Sequence, residues 1–176
     1  MEVIETERLL LRRPRAGDAP AIFSRYASDP EVTRFLAWPT HRTEEETRAF
    51  VAVSDEQWSR WPGGPLLVFV RDGNLLIGGA GVMFQTAERA ITGYVLARDA
   101  WGRGFATEAL LASVGQARAA GVRRLEASVH AAHAASIRVL EKAGFVRQRQ
   151  RPGRASDFPN LPPGDPRDVF EYALTF

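Results

Sequence analysis

The sequence predicts a mixed α/β fold of the α+β type: a largely antiparallel central sheet with helices on both faces and one βαβ crossover. The first observation is a glycine-rich turn, Trp101–Thr107, between an apolar strand pattern and an Ala/Leu-rich helix pattern. The second is that only one crossover, from Tyr94 through this helix to Val129, has the βαβ form. The third is size, since 176 residues with 45% hydrophobic content fit one domain, residues 1–176.

The first part of the chain predicts one strand and two helices. Thr6–Arg13 is expected to be a strand, because leucines alternate with polar residues and Pro14 follows. Asp18 is the expected N-cap of a first helix, which the Asp29-Pro30 pair closes. Thr43, followed by three glutamates, is typical of a capping box and predicts a second helix to about Trp58.

The remaining elements alternate with clear turn signals. Asp72-Gly73-Asn74 predicts a hairpin turn, and Gly121 and Gly144 are placed to end helices. The predicted strands are Leu66–Val70, Leu75–Phe84, Ala90–Leu96, Leu125–Val129, a strand from Phe145 onward and Val169–Phe176. The predicted helices run from about Gly104 to Ala120 and from Ala134 to Lys142. A long Pro- and Gly-rich loop, Pro152–Asp165, separates the last two strands.

The glycine turn predicts a phosphate-binding site. Its glycines leave backbone N–H groups uncovered at the positive end of a helix, which favours a pyrophosphate. The dinucleotide fingerprint does not fit, because Thr107 fills its third Gly/Ala position. The P-loop does not fit either, because the only lysine is Lys142, followed by Ala143. The chain has no cysteine, which excludes thiol nucleophiles and thiolate metal sites. A coenzyme A binder that needs no covalent protein intermediate remains.

Composition indicates a soluble, cytoplasmic protein. No apolar run approaches membrane-spanning length, and the first residues lack the pattern of a signal peptide. The formal net charge of +2 predicts no general binding to nucleic acids. Neither a membrane nor a metal ion is expected as a partner, and the chain is expected to be a monomer or a homodimer.

Three segments resemble a known family. They are Glu5–Arg12 (ETERLLLR), Gly93–Leu96 with the following WGRGFATEA turn, and Ala135–Phe145 (ASIRVLEKAGF). In this order and spacing the chain resembles the GNAT superfamily of acetyl-CoA-dependent N-acetyltransferases, specifically its RimJ/RimL-like branch. The resemblance implies that the glycine turn holds acetyl-CoA and that pantetheine lies along the strand where neighbouring strands splay apart. The residues implied to contact the coenzyme are Tyr94, Val95, Leu96, Trp101, Gly102, Arg103, Gly104, Phe105, Ala106, Thr107, His133 and Ser136.

The resemblance also implies catalytic roles. Ser136 is the candidate general acid near the sulfur, and the main-chain N–H near Leu96 is the implied oxyanion donor. Ser136 fits equally well as an ordinary first-turn helix residue. His133 is the second candidate, for coenzyme contact or proton transfer, and a polar N-cap substitute is its alternative.

Three departures from the family pattern bear on these roles. Trp101 stands where the family usually has Gln or Arg, and His133 stands where this branch often has Asn. A Glu that is common on the strand before Gly93 is replaced by Ile91 or Thr92. The last departure leaves the general base unassigned.

Several other residues have two possible interpretations. Trp38, Trp58 and Trp61 could line an acceptor pocket or pack into the core. Arg147, Arg149 and Arg151 are expected on one face of a strand, either for an acidic partner or as a solvated edge. Glu108 could be a base or a partner of the helix dipole. His130 and His133 do not make a convincing zinc site, since His41 is the only other histidine.

The sequence therefore predicts transfer of an acetyl group from acetyl-CoA to a primary amine, by direct attack in a ternary complex. The acceptor is expected to be a protein N-terminus or a small amine. The alternative is a non-catalytic acyl-CoA-binding sensor of the same fold, which the missing strand-borne Glu supports.

Overall fold

The computed structural model describes residues 3–176 as eight strands, five helical segments and two short 3₁₀ turns around one sheet. The strands are β1 (Val3–Glu5), β2 (Leu9–Arg12), β3 (Pro65–Val70), β4 (Leu75–Phe84), β5 (Arg89–Leu96), β6 (Arg124–His130), β7 (Val146–Arg151) and β8 (Val169–Thr175). The helical segments are α1 (residues 16–27), α2 (Pro30–Thr33), α3 (Glu44–Arg60), α4 (Phe105–Ala119) and α5 (Ala134–Lys142).

The sheet has the strand order β1-β2-β3-β4-β5-β6-β8-β7. Every neighbouring pair is antiparallel except β5 and β6, which are parallel and are joined through α4. This is the βαβ crossover that the sequence predicts, but it is not the only one. β6 and β7 both pair antiparallel with β8, so they run parallel to each other, and α5 joins them in a second crossover that the sequence pattern did not predict. The predicted mixed, largely antiparallel sheet is confirmed.

Helices cover both faces of the sheet, because alternate side chains of its strands point in opposite directions. Leu66 and Val68 of β3 lie in a core cluster with α4, while Leu67 and Phe69 lie in a second cluster with α1 and α3. A third cluster joins α4 and α5 to the strands around Leu125. In the described part of the chain, no helix is both long enough and apolar enough to span a bilayer.

The N-terminal elements differ from their predicted form. The predicted strand Thr6–Arg13 is shorter, Leu9–Arg12, and an additional strand, Val3–Glu5, pairs antiparallel with its residues 10–12 to form a hairpin. Asp18 stands at the N-cap position of the α-helical part, Ala19–Ile22, but its side chain makes no capping bond there. Its carboxylate instead binds the guanidinium of Arg12 at 2.7 and 2.8 Å and accepts from the N–H of Arg15 at 2.7 Å. The first helix instead begins with a 3₁₀ turn at Ala16 and ends in a π-helical turn, Phe23–Ala27. Medium-range sequence patterns do not specify such an ion pair.

The turn residues mostly behave as predicted. The hydroxyl of Thr43 accepts from the N–H of Glu46 and caps α3. Gly121 and Gly144 follow α4 and α5 with φ of +84° and +88°. Asp29-Pro30 does close α1, but it also starts α2, because the Asp29 carboxylate accepts from the N–H of Glu31. The short helix α2 is therefore an addition to the prediction.

Candidate active site

A gap between β5 and β6 marks the centre of the candidate site. The two strands pair only where Arg89–Ile91 faces Arg124–Glu126. Beyond that point β5 continues to Leu96 paired with β4, and β6 continues to His130 paired with β8. Since the two strands run parallel and pair only near their N-terminal ends, both of their C-terminal halves are unpaired on the facing edges.

The open edge of β5 presents a backbone donor. The N–H of Ala97 donates to the carbonyl oxygen of Ile77 at 2.7 Å, on the β4 side. Since neighbouring residues of a strand point their backbone groups to opposite sides, the N–H of Leu96 faces the gap. The carbonyl oxygen of Leu96 accepts from the indole Nε1–H of Trp101 at 2.8 Å. Trp101 therefore fixes the end of β5.

The glycine turn leads from the end of β5 into α4. Gly102 and Gly104 have φ of +72° and +80°, in the left-handed region that glycine tolerates. The helix begins at Phe105, and the N–H of Glu108 makes a bond to the carbonyl of Gly104 at 3.2 Å. The three preceding N–H groups, at residues 105–107, have no carbonyl partner within the helix. These are the N–H groups to which the prediction of an anion-binding site refers.

Two guanidinium groups flank the start of this helix. The guanidinium carbons of Arg8 and Arg103 both lie over the ring of Phe105, at 4.7 and 4.8 Å from its centroid. Arg8 is paired with the Glu108 carboxylate at 2.7 Å and also donates to the carbonyl of Arg103 at 2.9 Å. Within residues 3–176 Arg103 has no carboxylate partner, so its positive charge is available to a phosphate.

Glu108 is an anchor for the N-terminal hairpin. Its Oε1 accepts from the hydroxyl of Thr6 at 2.6 Å and from the N–H of Arg8 at 2.8 Å. Burial opposes ionisation, but these hydrogen bonds and the Arg8 charge outweigh it and lower the pKa of Glu108. A carboxylate held in this way is poorly suited to act as a base. Its position supports the reading in which Glu108 is a partner of the helix end.

Ser136 and Tyr94 meet across the open part of the gap. Their hydroxyl oxygens are 2.8 Å apart, with Ser136 in the first turn of α5 and Tyr94 on β5. Burial raises the pKa of Tyr94 to about 12, against the opposing effect of its hydrogen bond with Ser136. Tyr94 therefore stays protonated at neutral pH, so both hydroxyl groups of the pair carry a proton.

His133 lies one turn before Ser136. It occupies the N-cap position of α5, but its side chain makes no capping hydrogen bond. Its ring lies 4.9 Å from the ring of Phe35, and burial, which disfavours the charged form, lowers the pKa of His133. His133 is therefore neutral at physiological pH, and its lowered pKa makes it a weaker base than a free imidazole.

His130 has a structural role that uses both ring nitrogens. Its Nε2 is 2.8 Å from the carbonyl oxygen of Pro166, and its Nδ1 accepts from the N–H of Ala132 at 3.1 Å. The ring must donate to the carbonyl, so it is the neutral tautomer with the proton on Nε2. In the described residues no group of three potential metal ligands is present.

The three tryptophans take different positions. Trp58 donates to the carbonyl of Pro65 at 2.8 Å, and Trp61 stacks on Phe84 at 5.3 Å. Both are packed as the core reading expects. Trp38 belongs to the irregular segment between α2 and α3, where its carbonyl accepts from the side chain of Asn160.

The expectation that Arg147, Arg149 and Arg151 share one face is wrong. An irregularity in the β7–β8 register falls between Arg147 and Arg149. As a result Arg147 lies over the ring of Phe170, whereas Arg149 and Arg151 both bind the carboxylate of Glu171 on the other face. A period-two pattern cannot reveal such a bulge. Arg149 and Arg151 are thus paired with a carboxylate of the neighbouring strand, which agrees with the interpretation of this strand as a solvated edge.

Sequence reasoning missed three contributors to this region. Tyr94 was expected only to contact the coenzyme, yet its hydroxyl contacts Ser136. Arg8 lies in the N-terminal motif Glu5–Arg12, but its guanidinium donates to the carbonyl of Arg103 in the glycine turn. The ring of Phe35 lies 4.9 Å from the ring of His133, tilted by 35°. Only the fold brings these residues together, because each partner is distant in sequence.

Comparison with known proteins identified a matching family model and similar sequences. A model of the acetyltransferase (GNAT) domain matches residues 8–146. The chain is 32% identical over 112 residues to the uncharacterized N-acetyltransferase p20 of Bacillus licheniformis, covering 62% of each protein. It is 33% identical over 115 residues to the uncharacterized N-acetyltransferase YoaA of Bacillus subtilis (strain 168), covering 61% of this chain and 62% of YoaA. The match thus covers less than two thirds of the length of either relative.

Solved structures match the fold over almost the whole chain. RimL, a ribosomal L7/L12 α-N-protein acetyltransferase in complex with coenzyme A, matches with a TM-score of 0.86 at 22% identity, over 99% of this chain and 98% of RimL. The ribosomal-protein-S5-alanine acetyltransferase of Vibrio fischeri matches with a TM-score of 0.82 at 16% identity, over 98% of this chain and 96% of its own. A GNAT-family acetyltransferase of Bacillus anthracis has the same TM-score at 24% identity and covers 98% of both chains. At these identities the likeness concerns the fold.

Proposed function

The chain belongs to the GNAT acetyltransferase family, and we propose that it is an N-acetyltransferase that transfers the acetyl group of acetyl-CoA to a primary amine in a ternary complex. The observation that carries this proposal is the gap between β5 and β6. At its open end lies the glycine turn with uncovered N–H groups, and across it Ser136 meets Tyr94 at 2.8 Å. Anion binding and proton donation are thereby available at one site.

The residues present fit a coenzyme with a pyrophosphate. The N–H groups of residues 105–107 and the charge of Arg103 would hold the phosphates, and the edge formed by Tyr94, Val95 and Leu96 would receive the extended arm. A hypothetical Cβ on Gly102 would meet no other residue within 4 Å, so the outer surface of the turn is accessible. The coenzyme would supply the thioester that the amine attacks.

Ser136 is the proposed general acid. The thiolate that leaves when the C–S bond breaks needs a proton, and Ser136 can deliver one while Tyr94 donates to its oxygen. The N–H of Leu96 faces the gap and is the proposed donor to the carbonyl oxygen as negative charge develops there. These roles require no covalent protein intermediate, in agreement with a chain that has no cysteine.

The general base is not a carboxylate of β5 in this proposal. Ile91 is apolar and exposed, and the hydroxyl of buried Thr92 donates to the carbonyl of Gly81 at 2.8 Å. Direct release of the amine's proton to solvent is the proposed route, and neutral His133, one turn from Ser136, is the alternative acceptor of that proton. The sensor alternative draws its support from the same lack of a carboxylate.

The acceptor is proposed to be a protein N-terminus or a small primary amine. RimL is named for ribosomal L7/L12 and the Vibrio fischeri neighbour for ribosomal protein S5. These names motivate the first choice, and the shared fold alone does not distinguish it from the second.

A thiol-release assay tests the proposal. The protein is incubated with acetyl-CoA and a panel of N-terminal peptides and small amines, and free thiol is measured. Because the chain has no cysteine, a thiol reagent reports only the released coenzyme. We expect release that depends on the amine. Tight binding of acetyl-CoA without release for any amine would favour the sensor, and the lack of binding would refute both functions.

A further inference from the structure

One indole side chain closes the end of the open edge of β5. The Nε1–H of Trp101 donates to the carbonyl oxygen of Leu96 at 2.8 Å, five positions back along the chain. Leu96 is buried, with 6% of its surface exposed, whereas 47% of the surface of Trp101 is exposed. Trp101 is therefore not a core residue, and the polar edge of its ring makes a specific backbone contact.

This hydrogen bond lies on the side of β5 that faces the gap. On the opposite side, the N–H of Ala97 donates to the carbonyl of Ile77 on β4. The carbonyl oxygen of Val95 also lies against β4, next to Gly78. In a strand the N–H and the carbonyl of one residue point to the same side, and successive residues alternate. Both backbone groups of Leu96 therefore face the gap, where β6 no longer pairs with β5.

Trp101 and β4 hold one peptide unit of β5 from opposite sides. The unit between Leu96 and Ala97 has its N–H bonded to Ile77 at 2.7 Å and its carbonyl oxygen bonded to the indole at 2.8 Å. Because a peptide unit is planar, two bonds at opposite ends fix its orientation. The N–H of Leu96 belongs to the preceding unit, so its direction is defined relative to a peptide that is held on both sides.

Two ion pairs connect the turn between β5 and Trp101 to α1 and to the start of α2. Arg98 donates to both carboxylate oxygens of Asp29, at 2.9 and 3.1 Å. Asp99 accepts two hydrogen bonds from Arg25, at 2.9 and 3.0 Å. Neither pair involves residues 102–107, so the support of Trp101 is separate from the proposed phosphate-binding part of the glycine turn.

We propose that Trp101 is a positioning residue for the oxyanion donor, an inference that rests on the proposed function. By holding the peptide after Leu96, Trp101 directs the N–H of Leu96 towards the place where the thioester oxygen gains negative charge. Such a donor stabilises the transition state more than the ground state, so a change in its direction lowers the rate more than the affinity. Trp101 acts through Leu96 and does not touch the reacting atoms.

The variant Trp101→Phe tests this role, because it removes the indole N–H and keeps an aromatic ring. Since the side chain is half exposed, the variant should fold with little change in Tm. We expect kcat for acetylation of an amine to fall about fivefold, as for the loss of one neutral hydrogen bond. The Kd of acetyl-CoA should stay within about twofold, because the N–H groups of residues 105–107 and the charge of Arg103 are unchanged.

The matched control is Trp58→Phe, which makes the same chemical change at a core position. Trp58 also donates its Nε1–H to a backbone carbonyl, that of Pro65, at 2.8 Å, but at the start of β3, two strands from β5. Its kcat should stay near that of wild type while its Tm falls. A kcat of Trp101→Phe equal to that of wild type or of Trp58→Phe would overturn the positioning role. A loss of acetyl-CoA affinity in Trp101→Phe as large as its loss of kcat would also overturn it.

Amide hydrogen exchange without substrate separates this inference from the proposed function. The amide of Ala97 should exchange faster in Trp101→Phe than in wild type, because its peptide unit has lost the bond at the opposite end, while the amide of Glu108 in α4 should not change. Unchanged exchange at Ala97 would refute the hold of Trp101 on β5, whatever the activity. A wild-type protein that acetylates no amine would instead refute the proposed function, and with it the positioning role that rests on it.

Discussion

Replacement of Gly104 by valine should remove coenzyme binding at the glycine turn. Gly104 has φ of +80°, and a non-glycine residue in this region costs about 1–2 kcal/mol in free energy of unfolding. A β-branched side chain also adds two methyl groups next to the free N–H groups of the first helical turn. A hydrogen bond from such a group to a phosphate is worth about 1.5–3 kcal/mol. Each one lost lowers the affinity by about tenfold to 100-fold.

The same substitution at the other end of α4 provides the control. Gly121 has φ of +84°, and a Cβ there would meet no other atom within 4 Å. Gly121→Val therefore carries a similar conformational cost, and each variant should lose about 2–8 °C in Tm. Calorimetric titration with acetyl-CoA should show strong weakening only for Gly104→Val. If both variants bind acetyl-CoA as tightly as wild type, the assignment of the turn is wrong.

Two further predictions concern kinetics and acid stability. Initial velocities should follow a sequential pattern, because the chain has no thiol and the Ser136 hydroxyl is hydrogen-bonded to Tyr94 rather than to a base. An acetylated protein that forms from acetyl-CoA alone and then transfers its acetyl group to the amine would contradict this. Hydrogen bonds from Arg151 lower the pKa of Asp157 to about 2, so the stability that this pair adds is complete above pH about 4 and is lost as the pH falls from about 4 to about 2. Over that range the urea midpoint of wild type should fall more steeply than that of Asp157→Asn, and parallel curves would show that the pair contributes nothing.

The part of the fold that short-range signals control could be predicted from the sequence. The Thr43 cap, the Asp72-Gly73-Asn74 hairpin and the glycines after α4 and α5 each specify local backbone geometry, and the structure bears them out. The order and spacing of three motifs indicated the GNAT family, and the family match over residues 8–146 confirms this prediction. The β5–α4–β6 crossover followed from the strand, glycine-turn and helix patterns that succeed one another along the chain. The second crossover, β6–α5–β7, was missed because β8, which comes last in the sequence, lies between its two strands.

The remaining features depend on contacts between distant residues. Asp18 resembles an N-cap in sequence, but the ion pair with Arg12 uses its carboxylate instead. The irregularity in β7 puts Arg147 and Arg149 on opposite faces of the strand, and no residue type in that strand predicts it. The hydrogen bond from the Asn160 side chain to the carbonyl of Thr33 spans 127 positions, which no periodic pattern can encode. The roles of Ser136 and His133 stay predictions, although the structure adds Tyr94 beside the first and Phe35 beside the second.

The central claim is that acetyl transfer takes place in the gap between β5 and β6 with Ser136 as the proton donor. The most direct measurement compares steady-state acetylation of an amine by Ser136→Ala and by His133→Asn, with product identified by mass spectrometry. Ser136→Ala should lower kcat by about 100-fold with little change in KM, because the proton is needed only as the thiolate leaves. His133→Asn, which introduces the residue more usual in the RimJ/RimL-like branch, should be mild. Wild-type turnover by Ser136→Ala together with an inactive His133→Asn would contradict the account.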